Sequence, residues 1–345
     1  MFVEERYSSQ EFHLQARPAF NAIYTIAGRR ISIQTQDDWS AGFISNRFAG
    51  CLLTPLPANG NVPTDATVRI RVETLPPIIP DGLSRFCLPQ GGVCHTDGLT
   101  FHLEYDRSRI LIGPGRSPTI DVWIARRYEQ GSRTLDQIIS QAFYAALRRC
   151  DLFEFHSAAV LPPGTDTAVL IAGPSGSGKS TLTMQLAACG WNYLSDDCLL
   201  LDYQAGELKV YALRKFFALT ATTIAALQFP ELRALPREPS NKTRIIPQDI
   251  LSGVQLDRAT PGAIFFSTIT QKPDSEIRRL SAPEAMTRLL RLCPWAGYDK
   301  PTAGKHLAVL AELAQITVAS DILMGTDVLE DRSLASKLCL GAMSY

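Results

Sequence analysis

The residues best suited to chemistry lie in one glycine-rich stretch. Residues 173–180 read Gly-Pro-Ser-Gly-Ser-Gly-Lys-Ser and match the phosphate-binding pattern G-x-x-x-x-G-K-[ST] at every position. Glycines let backbone N–H groups turn toward phosphate oxygens, and the N-terminus of the following helix adds a positive dipole. We therefore expect Lys179 to reach the β- and γ-phosphates of a nucleoside triphosphate and the Ser180 hydroxyl to ligate Mg²⁺. The expected nucleotide-binding residues are Gly173, Pro174, Ser175, Gly176, Ser177, Gly178, Lys179, Ser180 and Thr181.

A pair of adjacent carboxylates follows the loop after one predicted helix and one short strand. Asp196-Asp197 stands between the strand-like runs 191–195 and 198–201. Successive side chains of a strand point to opposite faces. At a strand end, one carboxylate can therefore serve Mg²⁺ while its neighbour accepts a proton from an attacking hydroxyl. The alternative is a solvated turn, because Ser and Asp residues also favour turns.

Two further motifs are incomplete. Residues 251–255 are similar to the signature of ABC-transporter ATPases, but the strand that follows at 262–266 continues into Ser-Thr-Ile-Thr instead of Asp-Glu. Residues 271–274 are similar to the guanine-reading element of GTPases, but no Asp-x-x-Gly lies between the loop and this element. The sequence therefore disfavours both an ABC-type ATPase and a GTPase.

Alternating strand and helix patterns surround these residues and must position them. The apolar run 168–172 predicts a strand that leads into the loop, and residues 179–189 predict a helix that ends before Gly190, a C-cap glycine. Residues 153–160 predict a further strand, and residues 218–228 predict a helix. This order predicts an α/β fold with a parallel or mixed sheet.

The N-terminal part of the chain has a different pattern. Short alternating runs such as 30–34 and 68–72 predict strands separated by turn-rich segments, so we expect residues 1–130 to form a β-rich domain. An amphipathic helix with Thr134 as its N-cap follows. We expect it to open a second domain, residues 131–345, that carries the phosphate loop.

Composition and charge exclude several classes of function. The 345 residues include 34 basic and 34 acidic side chains, so the net charge is zero and no global attraction to nucleic acid or anionic membrane is expected. No run approaches the roughly 18 consecutive apolar residues that a membrane-spanning helix needs. The eight cysteines form no CxxC pair, and the N-terminus lacks the pattern of a secretory signal. These features favour a soluble cytoplasmic protein with reduced thiols.

Three features together resemble the HPr kinase/phosphorylase family, whose catalytic domain is related to phosphoenolpyruvate carboxykinase. They are the loop 173–180, the pair Asp196-Asp197 at the family's distance from the loop lysine, and His156 in the strand before the loop. The resemblance implies a P-loop kinase domain of the HPr kinase/phosphoenolpyruvate carboxykinase type behind the N-terminal β-rich domain.

The resemblance also implies a role for each matching residue. Lys179 would bind phosphate, Asp197 would accept the proton of the acceptor hydroxyl, and His156 would lie near the transferred γ-phosphate. Ser180 and Asp196 would face Mg²⁺. The implied activity is an ATP- and Mg²⁺-dependent transfer of phosphate to a serine of a protein or peptide. Some relatives of the family act as tailoring kinases on the precursors of lasso peptides, and this chain could be one of them.

The sequence departs from the family after the acid pair. The family's Glu-x-Arg-Gly signature, with its metal-binding glutamate, has no match here, which argues against HPr as the acceptor and against the reverse, phosphorolytic reaction. Phosphoryl transfer also needs cations around the developing negative charge. The candidates for this phosphate clamp are Arg214, Lys242 and Arg244.

Hypotheses other than a serine kinase stay open at this stage. A small-molecule hydroxyl could be the acceptor, and a non-catalytic scaffold could use ATP occupancy to order an interface. A carboxykinase-like enzyme would normally want a further metal ligand, such as a histidine in the middle of the domain, and none lies between His156 and His306. The sequence leaves homo-oligomer formation open.

Overall fold

The chain adopts a mixed α/β architecture in a computed structural model that describes residues 20–56, 62–88, 91–129, 131–227, 229, 232 and 242–343. The described strands are β1 (Phe20–Ile26), β2 (Arg29–Thr35), β3 (Thr54–Leu56), β4 (Ala66–Val72), β5 (Ser84–Cys87), β6 (Val93–Thr96), β7 (Phe101–Tyr105), β8 (Ser108–Ile112), β9 (Thr119–Ile124), β10 (Phe153–Phe155), β11 (Ser157–Leu161), β12 (Thr167–Ala172), β13 (Asn192–Ser195), β14 (Leu199–Gln204), β15 (Glu207–Ala212), β16 (Phe217–Thr220), β17 (Lys242–Ile245), β18 (Arg258–Ile269), β19 (Glu276–Arg279) and β20 (Val318–Met324). The described α-helices are α1 (Asp38–Ala49), α2 (Arg133–Arg149), α3 (Lys179–Ala188), α4 (Ala221–Leu227), α5 (Ala282–Leu292), α6 (Trp295–Tyr298), α7 (Lys300–Ile316), α8 (Asp327–Glu330) and α9 (Arg332–Met343). Across the described ranges, none of the helices has the length and apolar character needed to cross a membrane.

The first sheet holds the strands that precede α2, in the order β3-β1-β2-β4-β9-β8-β7-β6-β5. The central pairs β2/β4 and β4/β9 are parallel, and the outer pairs are antiparallel. Helix α2 lays its apolar face against this sheet, with Ile138, Ala142 and Phe143 buried in the same core. The amphipathic pattern predicted for this helix is therefore confirmed.

The start of α2 differs from the sequence prediction. The N-cap is Ser132 rather than Thr134, because the Ser132 hydroxyl accepts a hydrogen bond from the Leu135 N–H at 3.5 Å. Ser132 has the non-helical backbone that an N-cap needs, and its side chain is three residues from the amide that it satisfies. Thr134 lies inside the first helical turn.

The second sheet carries the phosphate loop and runs β10-β14-β15-β18-β12-β11-β13, with β20 paired to β18 and β19 paired to β20. β12 is parallel to β18 and antiparallel to β11, and β11 is antiparallel to β13. The sheet is mixed, as the alternation of strands and helices predicted. Helix α3 packs on β11, β12 and β13.

Two predicted elements have different limits in the structure. The expected strand 153–160 is split at His156, because β10 pairs with β14 whereas β11 pairs with β12 and β13. The expected helix 218–228 begins later, since β16 forms a two-stranded sheet with β17 before α4 starts at Ala221. Gln228, its expected last residue, lies outside the described residues.

Polar contacts join the two large sheets. Arg29 of β2 donates two hydrogen bonds to Asp202 of β14, at 2.7 and 2.8 Å. The Leu52 N–H donates to the Leu213 carbonyl at 2.9 Å. Because α2 packs on the first sheet and also contacts β10, it links the two parts of the chain. The domain boundary placed at residue 130 stays a prediction.

A buried ionic cluster under α2 gives a test of this packing. Asp299 is fully buried and accepts hydrogen bonds from Arg149 at 2.8 and 3.0 Å and from Arg148 at 3.3 Å. Asp299→Ala leaves buried guanidinium charge without its partner, so we expect the free energy of unfolding to fall by about 3–5 kcal/mol. Urea denaturation followed by circular dichroism measures this loss.

The matched control removes an exposed partner instead of a buried one. Glu276 pairs with Lys272 at 2.8 Å, and both side chains are more than half exposed. Glu276→Ala should change the free energy of unfolding by less than about 1 kcal/mol. Equal losses in the two variants would contradict the importance assigned to the buried cluster.

Candidate functional site

The glycine-rich loop connects the buried strand β12 to helix α3. Gly178 is the N-cap of α3 and has φ of 90°, a left-handed conformation that favours glycine. A Cβ at this position would lie 2.3 Å from the Met324 side chain, so glycine is also required for space. The Ser177 hydroxyl contacts the Ser267 hydroxyl of β18 at 3.1 Å and ties the loop to the sheet. Pro174, Ser175 and Gly176 are exposed at the open side of the loop, whereas Lys179 and Thr181 are buried.

The Lys179 ammonium lies inside the loop. Its Nζ donates to the carbonyl oxygens of Gly173 at 2.8 Å and Pro174 at 3.0 Å. Burial lowers the pKa of Lys179, and the nearby negative charges of Asp197 and Asp196 oppose that shift. The amine is therefore within electrostatic range of both carboxylates, which the sequence predicted to share its site.

Asp196 connects the acid pair to the loop. Its Oδ2 accepts hydrogen bonds from the Ser180 hydroxyl at 3.3 Å and from the Ala218 N–H at 3.0 Å. Its Oδ1 is buried and has no hydrogen-bond partner within the described parts of the chain. Burial, helped by the charge of Asp197, raises the pKa of Asp196 to about 6. Within the part of the chain that the structure describes, Asp196 Oδ1 therefore lacks a partner although it lies on a carboxylate bonded to a hydroxyl of the loop.

This arrangement fits a magnesium ion. Mg²⁺ prefers oxygen ligands and is commonly held by one or two protein groups, with phosphate oxygens and water completing its coordination. The Ser180 hydroxyl and the unpartnered Asp196 carboxylate oxygen supply that chemistry. No group of three or more His, Cys, Asp and Glu placed to hold a metal occurs among the described residues, so an all-protein metal cage is not found there.

Asp197 points away from Asp196 and is held by two other side chains. Its Oδ1 lies 3.0 Å from His156 Nδ1, and its Oδ2 accepts from Arg214 Nη1 at 2.7 Å. Although burial opposes ionisation, His156, Arg214 and other nearby cations hold the pKa of Asp197 below its usual value. Burial lowers the pKa of His156.

Three further groups position the acid pair, and the sequence reasoning did not single them out. The Ser195 hydroxyl accepts from the N–H groups of Asp197 at 3.4 Å and Cys198 at 3.3 Å. The Gln255 amide donates to the carbonyls of Leu194 at 3.1 Å and Arg214 at 2.9 Å. The Ala218 N–H is the third. The turn-forming sequence Ser-Asp-Asp could have indicated the role of Ser195. Gln255 and Ala218 are brought to the site by tertiary contacts, which no local pattern indicates.

The predicted phosphate-clamp cations are divided between two positions. Arg214 is directed at Asp197. Lys242 and Arg244 alternate with buried residues along β17, so both occupy its exposed face. The Arg244 guanidinium stacks over the Phe216 ring at 4.9 Å. Arg214, Lys242, Arg244, Asp197 and His156 line one cavity of about 600 Å³.

Comparison with solved structures gives a partial similarity. No family model matches the chain, and no curated protein matches it. Among solved structures, the chain is similar to the HPr(Ser) kinase/phosphatase from Coxiella burnetii, with a TM-score of 0.26 and 14% sequence identity over 37% of this chain and 70% of that chain. The function proposed below therefore rests on the geometry of the site.

The raised pKa of Asp196 predicts a specific pH dependence of stability. An aspartate that titrates near pH 3.8 when unfolded and at about 6 when folded makes the folded state less stable as the pH rises through this window. Asp196→Asn does not titrate. We expect the stability of the variant relative to the unaltered protein to increase by about 1–3 kcal/mol between pH 4 and pH 7 in EDTA.

Urea denaturation at each pH measures this difference. The exposed Asp166 supplies the matched control, because Asp166→Asn should follow the unaltered protein across the range. Parallel pH profiles for the unaltered protein and Asp196→Asn would show that Asp196 ionises at its ordinary pH in the folded state.

Proposed function

We propose that this protein is an ATP- and Mg²⁺-dependent kinase that transfers the γ-phosphate of ATP to a hydroxyl group. The observation that carries the proposal is the division of the acid pair: Asp196 is hydrogen-bonded to Ser180 of the loop, while Asp197 faces the adjoining cavity with His156 and Arg214. The proposal assigns magnesium binding to Asp196 and proton acceptance to Asp197.

Asp197 is the proposed proton acceptor. The acceptor oxygen forms a bond to the γ-phosphorus as the bond from that phosphorus to the β,γ-bridging oxygen breaks, and the hydroxyl proton passes to Asp197, leaving ADP. His156 and Arg214 favour the ionised form of this carboxylate and fix its direction. A carboxylate that is ionised and oriented in advance can take the proton without rearrangement.

The remaining cationic groups are proposed to stabilise the negative charge of the phosphates. Lys179, Lys242 and Arg244 are the proposed partners of the phosphate oxygens, because negative charge spreads over those oxygens in the transition state. Mg²⁺ bound through Ser180 and Asp196 would neutralise charge on the β- and γ-phosphates. Arg214 acts through Asp197, to which it is hydrogen-bonded.

The class of acceptor has two candidates. The resemblance found in the sequence implies a serine of a protein or peptide, such as a biosynthetic precursor peptide. A small-molecule hydroxyl is the second candidate, because the cavity beside Asp197, about 600 Å³ in volume, lies within the range typical of small-molecule sites. The eight unbridged cysteines support the cytoplasm as the proposed compartment.

Two substitutions separate a kinase from a scaffold that only binds ATP. Asp197→Asn should lower phosphoryl transfer by about 100-fold or more while ATP affinity changes little, because the side chain accepts a proton and does not hold the nucleotide. Lys179→Ala should weaken ATP binding itself. Transfer is followed with ATP labelled at the γ-phosphate, and affinity is followed by calorimetry.

Asp166→Asn, at an exposed position, is the control for the change from carboxylate to amide and should retain full transfer. Undiminished transfer in Asp197→Asn would refute the proton-acceptor role. Tight ATP binding without any labelled product in the unaltered protein would leave the scaffold as the surviving function.

A further inference from the structure

The cavity beside Asp197 extends away from the phosphate loop. Its walls come from α1, α2, β10, the start of β17 and the segment after α5, and residues 173–181 are not among its described lining residues. His156 and Asp197 belong to its lining. The cavity therefore occupies the side of Asp197 from which a phosphoryl acceptor would approach.

Glu154 lies on the same side of the chain as His156. Both side chains line the cavity. One carboxylate oxygen of Glu154 pairs with Arg148. The other, Oε2, is buried and has no hydrogen-bond partner in the described ranges.

His306 of α7 also lines the cavity. It is 1% exposed and stacks on the Phe153 ring, with 4.4 Å between ring centres. Neither ring nitrogen has a hydrogen-bond partner among the residues that the structure describes. Burial, together with the charge of Arg148, lowers the pKa of His306 to about 3, so the ring is neutral at pH 7. It offers one donor and one acceptor.

Three buried polar atoms of residues that line the cavity have no hydrogen-bond partner within the described parts of the chain. They need an explanation, because buried polar groups in folded proteins are nearly always hydrogen-bonded. A serine presented by a protein reaches Asp197 with a short side chain and brings no second hydroxyl to this wall. A compact molecule with several hydroxyl groups can satisfy both places at once. Six basic and three acidic side chains line the cavity, which disfavours an amine and tolerates an anionic group.

We propose that the phosphoryl acceptor is a small polyhydroxylated molecule of monosaccharide size, neutral or anionic. It binds with one hydroxyl at Asp197 and another at Glu154 and His306. This inference rests on the proposed kinase function and makes Glu154 and His306 the specificity-determining residues of the acceptor site.

The first experiment identifies the class of acceptor. The full chain is incubated with Mg²⁺ and γ-labelled ATP together with either the metabolite fraction or the protein-and-peptide fraction of a bacterial extract. Glucose, myo-inositol, gluconate and glucose 6-phosphate serve as defined probes that separate neutral from anionic acceptors. We expect labelled phosphate esters among the metabolites or the probes.

The second experiment tests the two wall residues with the small acceptor found in the first. Glu154→Gln and His306→Leu should each raise its KM by about 10- to 100-fold through the loss of a buried hydrogen bond. The KM for ATP and the kcat should change little, which a general structural defect would not produce. Glu207→Gln, at a position with a 72% exposed side chain, is the matched control.

The outcomes separate this inference from the proposed function. Label confined to proteins or peptides would overturn the small-molecule acceptor and leave the kinase intact. No labelled ester in either fraction, despite ATP binding, would refute both. A small acceptor whose KM is the same in both variants would refute the roles of Glu154 and His306.

Discussion

The structure of the site depends on how two consecutive carboxylates are buried together. Two adjacent negative charges inside a protein repel each other and lose their hydration, so their burial requires different surroundings for each. Asp196 accepts from a hydroxyl and a backbone N–H, and burial, helped by the charge of Asp197, raises its pKa. Asp197 receives an imidazole and a guanidinium, and its pKa falls. One carboxylate is thereby directed to the loop and the other to the cavity.

Those surroundings are assembled by the pairing of strands in the second sheet. The chain changes partners between β10 and β11, which leaves His156 between the two strands. The β14–β15 hairpin then returns the chain to Arg214, and β16 presents the Ala218 N–H to Asp196. His156 and Arg214 thus lie just outside β10 and β15, whereas Ala218 belongs to β16 and Ser180 to α3.

The first sheet contributes a wall to the cavity. Helices α1 and α2, which pack on that sheet, provide Arg47 and Tyr144 to the lining, and backbone and ionic contacts such as that between Arg29 and Asp202 hold the two sheets together. The proposed reaction needs groups of the second sheet, whereas the shape of the acceptor site needs both. Helices α1 and α2 would therefore help to shape the proposed acceptor site as well as pack against the first sheet.

The sequence by itself determined the features that are set by neighbours along the chain. Spacing identified the loop 173–180 and the acid pair, and periodicity predicted α2, α3 and the mixed sheet, all of which the structure contains. The same local patterns misplaced the N-cap of α2 and the start of the helix after β16. A local pattern does not reveal which strand pairs next. Only the tertiary structure decided that Arg214 faces Asp197 and that Glu154 and His306 line the same cavity. These contacts follow from the register and order of strands, which depend on packing between distant segments and leave no fixed spacing in the sequence.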